Sequence, residues 1–409
     1  MSQKTLLVLG AGPDQMFMIR TAKAMGCKTL ALDQNPRAPG FALADDFAVV
    51  STRNVPAILR FLEMYRVQKG PVHGVSTMGS DIPHVVAEIA EHLGTPSISR
   101  RSARWATDKF EMKERFRQAG LKIPRYALVF SQHEVQKVLT GWGRPVVVKP
   151  VDQAGSRGVS LVRRVDEAGV LFDHALKNSN SGRVLAEEFI AGPQISTESL
   201  MLAGEIHTPG YADRNYEDWE RFFPQIMENG GWVPSLHEEK RVEVETEVKK
   251  AALALEITDG VIKGDVVLGP DGPVIIEVAA RLSGGDFCES LVPLGSGVNY
   301  VESVIRLALR ERPDPVDLVP RFSRTVANRY FFASSGVLGA VHGLEEVAAQ
   351  KTWVAKLELW YQPGDRLPDI RSHGQRTGVF VVTGPDRNTV QQRVNWVYRT
   401  VRFEVRSAA

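Results

Sequence analysis

The sequence predicts a multidomain protein of mixed α/β and α+β class. Its 409 residues exceed what one hydrophobic core usually organises, so two or three domains are expected. The first hundred residues alternate short apolar strands with helical periodicity, the signature of a parallel sheet covered by helices. The remainder reads as short apolar strands broken by glycine and proline turns, with a long hairpin over 264–277.

Composition narrows the function. The chain is 43% hydrophobic and 24% charged, ordinary for a soluble enzyme. Lys+Arg 50 against Asp+Glu 48 leaves a net charge of +2, which gives nucleic acid or an anionic membrane no electrostatic footing. No apolar run reaches membrane-spanning length, and the opening Met-Ser-Gln-Lys-Thr is too short for a signal peptide. Cys27 and Cys288 make neither a disulfide framework nor a structural zinc site. A cytoplasmic enzyme is expected.

In order, residues 5–9 form a fully apolar strand, and Gly10-Ala11-Gly12-Pro13 turns into a helix through 18–25. A second strand over 28–32 ends at Asp33. A third, 72–76, precedes a helix on which Ile82, Val85, Val86, Ile89 and Leu93 recur at helical spacing. Thr107 is expected to cap a helix through Arg117 that Gly120 closes. Strands then follow at 125–130, 145–150, 159–162 and 184–189, with helices between. The aromatic-rich segment 211–232 has no period and reads as a long loop or substrate lid. A helix over 243–255 turns Val244, Val248, Ala251, Ala252 and Leu255 inward. The proline-spaced stretch 312–320 reads as a linker. Strands at 325–332, 356–361 and 377–383 and a helix from Thr389 complete a small α+β unit.

Several clusters carry chemistry. Gly10-Ala11-Gly12-Pro13-Asp14-Gln15 with Asp33 has the outline of a dinucleotide fingerprint, but Gln15 replaces the third glycine. A plain tight turn, or a helix N-terminus for a substrate carboxylate, are the competing readings. Lys149 ends an apolar strand and is followed by Asp152-Gln153-Ala154-Gly155-Ser156-Arg157-Gly158. This loop of small residues can fold its amides over phosphates, with Ser156 and Arg157 adding donors. Lys109 at a helix start argues for a nearby phosphate, the alternative being a solvated surface lysine. Across the hairpin Asp265 and Glu277 face one surface, a pair of hard oxygen ligands suited to magnesium with nucleotide phosphates. Arg281 follows four residues later, placed for a phosphate or oxyanion. Glu187, Glu188, Phe189 and Ile190 can offer backbone groups to an adenine edge, and Gln194 and Glu198 share a strand face within reach of ribose hydroxyls.

Taken in order, Lys109, Lys149 with its glycine loop, the Glu187-Glu188-Phe189-Ile190 hinge and Asp265…Glu277-x-x-x-Arg281 resemble the ATP-grasp superfamily. The tail Glu277-Val278-Ala279-Ala280-Arg281-Leu282-Ser283-Gly284-Gly285 is most similar to carboxylate-amine ligases of the L-amino-acid (dipeptide) ligase type. The resemblance implies an ATP-grasp fold with a Rossmann-like pre-grasp domain (1–105), a grasp domain (106–312, lid about 124–190) and a biotin-carboxylase-like C-terminal domain (313–409).

It further implies ATP held by Lys109, Lys149, Gly155, Ser156, Arg157, Gly158, Glu187, Glu188, Phe189, Ile190 and Gln194, and Mg2+ (or Mn2+) on Asp265 and Glu277. Ala279 stands where many members have asparagine, which leaves the metal two protein acids. Arg281 and Lys149 would be catalytic. The reaction implied is amide formation between small-molecule carboxylate and amine substrates through an acyl phosphate, with no nucleic-acid or membrane partner and a homodimer allowed. Arg214, Ser283, Gly284 and Gly285 are candidate substrate contacts. The aromatics of 211–232 either wall an amino-acid pocket or form the loop's own small core. The rival reading keeps the fold but phosphorylates a carboxylate or bicarbonate, as carbamoyl-phosphate and purine-biosynthesis members do. An NAD-dependent oxidoreductase is a second alternative, from another class.

Overall fold

The computed structural model describes residues 3–407. A four-stranded parallel sheet comes first, with β1 (Thr5–Leu9), β2 (Lys28–Asp33), β3 (Asp46–Val49) and β4 (Gly74–Ser76) in the order β3-β2-β1-β4. Leu6, Leu7, Val8 and Leu9 are wholly buried because helices cover both faces. These are α1 (Pro13–Ala24), α2 (Val55–Lys69) and α3 (Pro83–Leu93). The strand β3 and the helix α2 were not predicted. In α2, Ile58, Leu62 and Tyr65 are buried at helical spacing, so its period could have been read; β3 has four residues and turns Phe47 and Val49 to solvent.

Two short helices meet at one residue. Asp108 closes α4 (Arg100–Thr107) and caps α5 (Lys109–Gln118), accepting from the Phe110 and Glu111 amides at 3.0 Å each. The expected Thr107 cap is therefore shifted by one. The Thr107 hydroxyl instead donates to the Ala103 carbonyl of α4.

A second sheet, in the order β5-β8-β6-β7, contains β5 (Tyr126–Val129), β6 (Val146–Pro150), β7 (Ser160–Val162) and β8 (Val184–Glu188). Helices α6 (Gln132–Trp142) and α7 (Ala168–Asn178) bury Val146, Val148, Val184 and Ala186 against one face. Strand alternation turns Lys149 and Glu187 to the other face.

The largest sheet has eight strands in the order β13-β12-β9-β10-β11-β14-β18-β16. They are β9 (Gln194–Leu202), β10 (Glu205–Arg214), β11 (Gly231–Val233), β12 (Gly260–Gly269), β13 (Gly272–Ala279), β14 (Thr325–Phe331), β16 (Val354–Leu359) and β18 (Gly378–Gly384). The sheet runs across residue 312 without a break, because β14 pairs with β11. A small sheet of β15 (Gly336–His342), β17 (Arg366–Leu367) and β19 (Arg402–Arg406) completes the chain. Helix α8 (Arg241–Ala254) covers the face built from Ile195, Tyr211, Val266 and Ile275. The opposite face packs on α9 (Val292–Ser296) and α10 (Tyr300–Ala308) at one end and carries polar residues at the other.

The two ends of the segment expected to be a loop at 211–232 are strand, 211–214 in β10 and 231–232 in β11. Tyr211 is buried in the α8 core, with its hydroxyl on the His237 carbonyl at 3.1 Å. Trp232 lies in β11 under Arg329 and Arg387. Between the two ends, 215–230 is irregular, as expected, apart from a 3-10 turn at Trp219–Phe222.

Candidate active site

The floor of the cleft is a grid of side chains on β9, β10, β12 and β13. Register sets Asp265 opposite Glu277 on one side and Ser196 on the other, and Lys263 opposite Glu198 and Ala279. A bulge at Ile276 makes this possible. It sends Ile275 into the α8 core while Glu277, two residues on, faces the cleft, reversing the usual alternation. The carbonyl freed at the bulge accepts from Lys113 Nζ at 2.6 Å.

Cations surround the two acids. Lys109 Nζ lies 3.4 Å from Glu277 and donates to the Gln153 carbonyl at 2.8 Å, joining the floor to the glycine loop. Lys149 and Lys113 clasp Glu187 at 2.8 and 3.4 Å, all three buried. Asp265 takes an ion pair from Arg214 at 2.6 Å and another from Lys263. Arg281 approaches Asp81 at 3.5 Å, and its Nε–H has no acceptor among the described residues.

Burial opposes ionisation of Glu277 and Asp265, yet each is held below its usual range. Lys109 and Lys149 do this for Glu277, and Lys263 with Arg214 for Asp265. Burial also works against charge on Lys109, but Glu277 and Asp81 outweigh it and raise its pKa. Lys113 is different. Burial, with Lys149 beside it, brings it down to about 8.

The structure brings Lys109, Lys149, Glu187, Asp265, Glu277, Arg214 and Arg281 together around one cleft. Other expected contacts are spent elsewhere. The Glu188 carboxylate faces away and pairs with Arg125 at 2.9 Å and Arg144 at 3.4 Å. The Glu188 and Phe189 amides donate to the Arg125 and Pro145 carbonyls. Of the hinge amides, only that of Ile190 lacks an acceptor among the described residues. Glu187 contributes a side chain between two lysines rather than a hinge contact alone. Gln194 begins β9 on the cleft side, opposite Val267. Glu198, expected near ribose, is wholly buried and accepts from Ser283, Tyr300 and, at 3.3 Å, Cys288.

The tail also departs from expectation. Ser283 is tied to Glu198. Gly284 and Gly285 leave room for the protein itself rather than for a substrate. A Cβ at Gly284 would meet Asp14 at 2.7 Å, and one at Gly285 the Tyr330 hydroxyl at 2.6 Å. The dinucleotide outline fails similarly. Asp33 accepts from the Ala11 amide at 2.9 Å and Gln15 from Gly12 at 2.9 Å, so the turn satisfies itself.

In the glycine loop, Gly155, Ser156 and Gly158 all have positive φ. The Ser156 hydroxyl donates to the Ile226 carbonyl at 3.2 Å and lies 3.2 Å from His373 Nε2. Arg157 is exposed and its Nε donates to Gln153 at 3.2 Å. The aromatics of 211–232 disperse: Trp219 stacks near Phe189 (6.3 Å) and Phe222 near Phe332 (4.8 Å), while Tyr216 alone stays beside Arg214.

Sequence reading missed Lys113, Lys263 and Glu228. Lys113 is four residues from Lys109 on one helical face, and Lys263 two residues from Asp265 on one strand face, so periodicity could have found both. Glu228, which holds Arg214 at 2.5 Å, had no such signal.

A cleft between the second sheet and an acidic hairpin, lined by lysines and flanked by a glycine loop, has the charges and hard oxygen ligands suited to phosphate groups carried with a divalent cation. A family model described as ATP-grasp domain matches residues 106–285, and one described as L-amino acid ligase C-terminal domain 2 matches 329–406. Residues 106–285 thus match an ATP-grasp domain, and the C-terminal part matches a domain found in L-amino acid ligases. The chain is similar over its whole length to the solved L-amino acid ligase from Bacillus licheniformis (TM-score 0.85, 21% identity, all of both chains covered). It also resembles the 2-oxoglutarate carboxylase biotin carboxylase domain from Hydrogenobacter thermophilus, solved with MgADP and bicarbonate (TM-score 0.74, 18% identity, 98% and 91% covered). In sequence it is 24% identical to the phosphoribosylamine–glycine ligase of Pyrococcus horikoshii, covering 75% of this chain and 73% of that one. No helix among the described residues is long and apolar enough to cross a membrane.

Proposed function

We propose that this chain joins the carboxylate of one amino acid to the amine of another, through an acyl phosphate. The observation that carries the reading is the Asp265–Glu277 pair, held ionised on the cleft floor among Lys109, Lys149 and Arg281. The likeness over the whole chain to an L-amino acid ligase supports the amino-acid substrate class.

The donor set suits magnesium. Among the described residues no group of three or more His, Cys, Asp or Glu side chains gathers. Two facing carboxylates, with phosphate oxygens and water to complete an octahedron, match magnesium's habit. Asp265 and Glu277 would hold the ion, which when bound neutralises phosphate charge. The residues do the rest. Lys109 and Lys149 would orient the phosphates, and the amides of Gly155 to Gly158 would exclude water. Ile190 would donate to adenine.

One oxygen of the substrate carboxylate attacks the γ-phosphorus and ADP leaves. The amine then attacks the acyl carbon, phosphate departs with that oxygen, and the amine loses a proton. Arg281, whose Nε stands 3.5 Å from Asp81 without a hydrogen bond, would steady the oxyanion of the second step.

An ADP-release assay over pairs of amino acids, with product masses read, tests this. ADP should form only when both partners are present, with a product equal to their summed mass less water. Turnover with bicarbonate and ammonia but with no amino-acid pair would favour the carboxylate- or bicarbonate-phosphorylating rival.

A further inference from the structure

Arg376 shares the one acid within its reach with a second buried arginine, Arg214. Arg376 leaves the turn His373–Gln375 and is only 5% exposed. Its guanidinium lies over Tyr330, 3.7 Å from the ring centroid. One terminal nitrogen donates to the Glu228 backbone carbonyl. The Glu228 carboxylate serves both guanidinium groups, 2.5 Å from Arg214 and 3.7 Å from Arg376, so one acid faces two cations. The Arg376 Nε–H is enclosed with no hydrogen-bond acceptor among the described residues. A buried charged donor left unmade is costly, so an acceptor from outside the chain is called for. The guanidinium edge is flat and forked, and it matches the two oxygens of a carboxylate.

Position says which carboxylate. Arg376 lies beyond Arg214, whose other nitrogen reaches Asp265 at 2.6 Å. It is therefore on the far side of Arg214 from the lysines that face the phosphates. The same turn touches the glycine loop, where the His373 amide donates to the Gly155 carbonyl at 3.1 Å. A carboxylate held at Arg376 is thus near the reacting centre but outside the phosphate end. In amide formation the first substrate spends its carboxylate in the new bond. Only the amine-bearing amino acid keeps one.

We propose that Arg376 binds the free α-carboxylate of the amine-bearing substrate, selecting a free amino acid over a carboxamide or a simple amine. The proposal rests on the amino-acid ligase reading above. It adds a specificity residue from the C-terminal part of the chain.

The test uses the full-length enzyme and a productive pair, with the amine substrate supplied either as the free acid or as its carboxamide. Arg376→Met should raise the KM for the free acid about 30-fold, while the KM for ATP and for the carboxamide stay within about twofold. Arg376→Lys, which keeps the charge but loses the fork, should give a smaller rise confined to the free acid, and serves if Arg376→Met does not fold. An equal rise for acid and carboxamide, or no rise, overturns the proposal alone. Melting temperature with an unreactive ATP analogue and magnesium supplies a readout that does not need turnover. Free amino acids should raise it in the wild type more than their carboxamides do, and Arg376→Lys should narrow that difference. A wild type that no free amino acid stabilises, and that joins none, overturns the amino-acid reading together with this one.

Discussion

At the scale of single residues, the account stands on a few buried charges. Glu277→Gln and Asp265→Asn should each cut ADP formation by at least about 100-fold while leaving the melting temperature nearly unchanged. A rate within a fewfold of wild type would remove that residue from the metal site. Glu198 gives a prediction about stability. Burial pushes its pKa from 4.5 to about 7, although Ser283, Lys263 and Cys288 pull the other way. The folded state therefore holds a proton that the unfolded state has released between about pH 4.5 and 7. Stability should fall across that window as pH rises, by up to about 3 kcal/mol. Glu198→Gln should flatten that fall, as read from urea midpoints at pH 5 and pH 8, and an unchanged slope would place the effect elsewhere. The residues legible in the sequence were those whose pattern is local. Lys149 closes an apolar strand before small residues, and Asp265 and Glu277 face each other across a short turn. Glu187 escaped a full reading because its role comes from two lysines on other elements, Lys113 of α5 and Lys149 of β6.

At the scale of elements, α5 positions two lysines at once. Lys109 and Lys113 lie one turn apart, one facing Glu277 and the other the bulge carbonyl. Asp108 fixes where this helix begins and is itself held by Arg183 at 2.5 Å. Asp108→Ala should cost about 1 kcal/mol of stability and raise the KM for ATP, measured by thermal melting and steady-state kinetics. A stability loss with unchanged KM would mean that the cap does not place the lysines. The sequence reading put this cap one residue early because two helices abut there, and Thr107 reads as a start when it is an end. The start of the aromatic segment was misread for a similar reason. Tyr211 and Arg214 lie on opposite faces of β10, so Arg214 reaches the cleft while Tyr211 sinks into the α8 core. Without knowing that 205–214 is a strand, the two look like neighbours on one loop.

At the scale of the whole molecule, the eight-stranded sheet ties the C-terminal part to the catalytic floor. β14 pairs with β11, and Tyr330 on it holds the Gly285 carbonyl at 2.7 Å, four residues beyond Arg281. A chain ending at 312 would leave β11 an open edge with Trp232 uncovered. It should aggregate or lose ATP-dependent stabilisation on size exclusion and melting; a soluble monomer stabilised by ATP would contradict the shared sheet. The first sheet is joined as firmly, since Asp14 of α1 accepts from the Gly285 amide at 3.1 Å. The alternation of strands and helices in the first hundred residues was legible, whereas continuity of the large sheet across 312 was not, because pairing of β11 with β14 spans about ninety residues. In the proposed reaction a substrate carboxylate is activated as an acyl phosphate on this floor. The most direct measurement supplies that carboxylate labelled with 18O and reads the released phosphate by mass spectrometry. One 18O atom should appear in the phosphate for each amide formed, with ADP unlabelled; phosphate free of label would contradict the account.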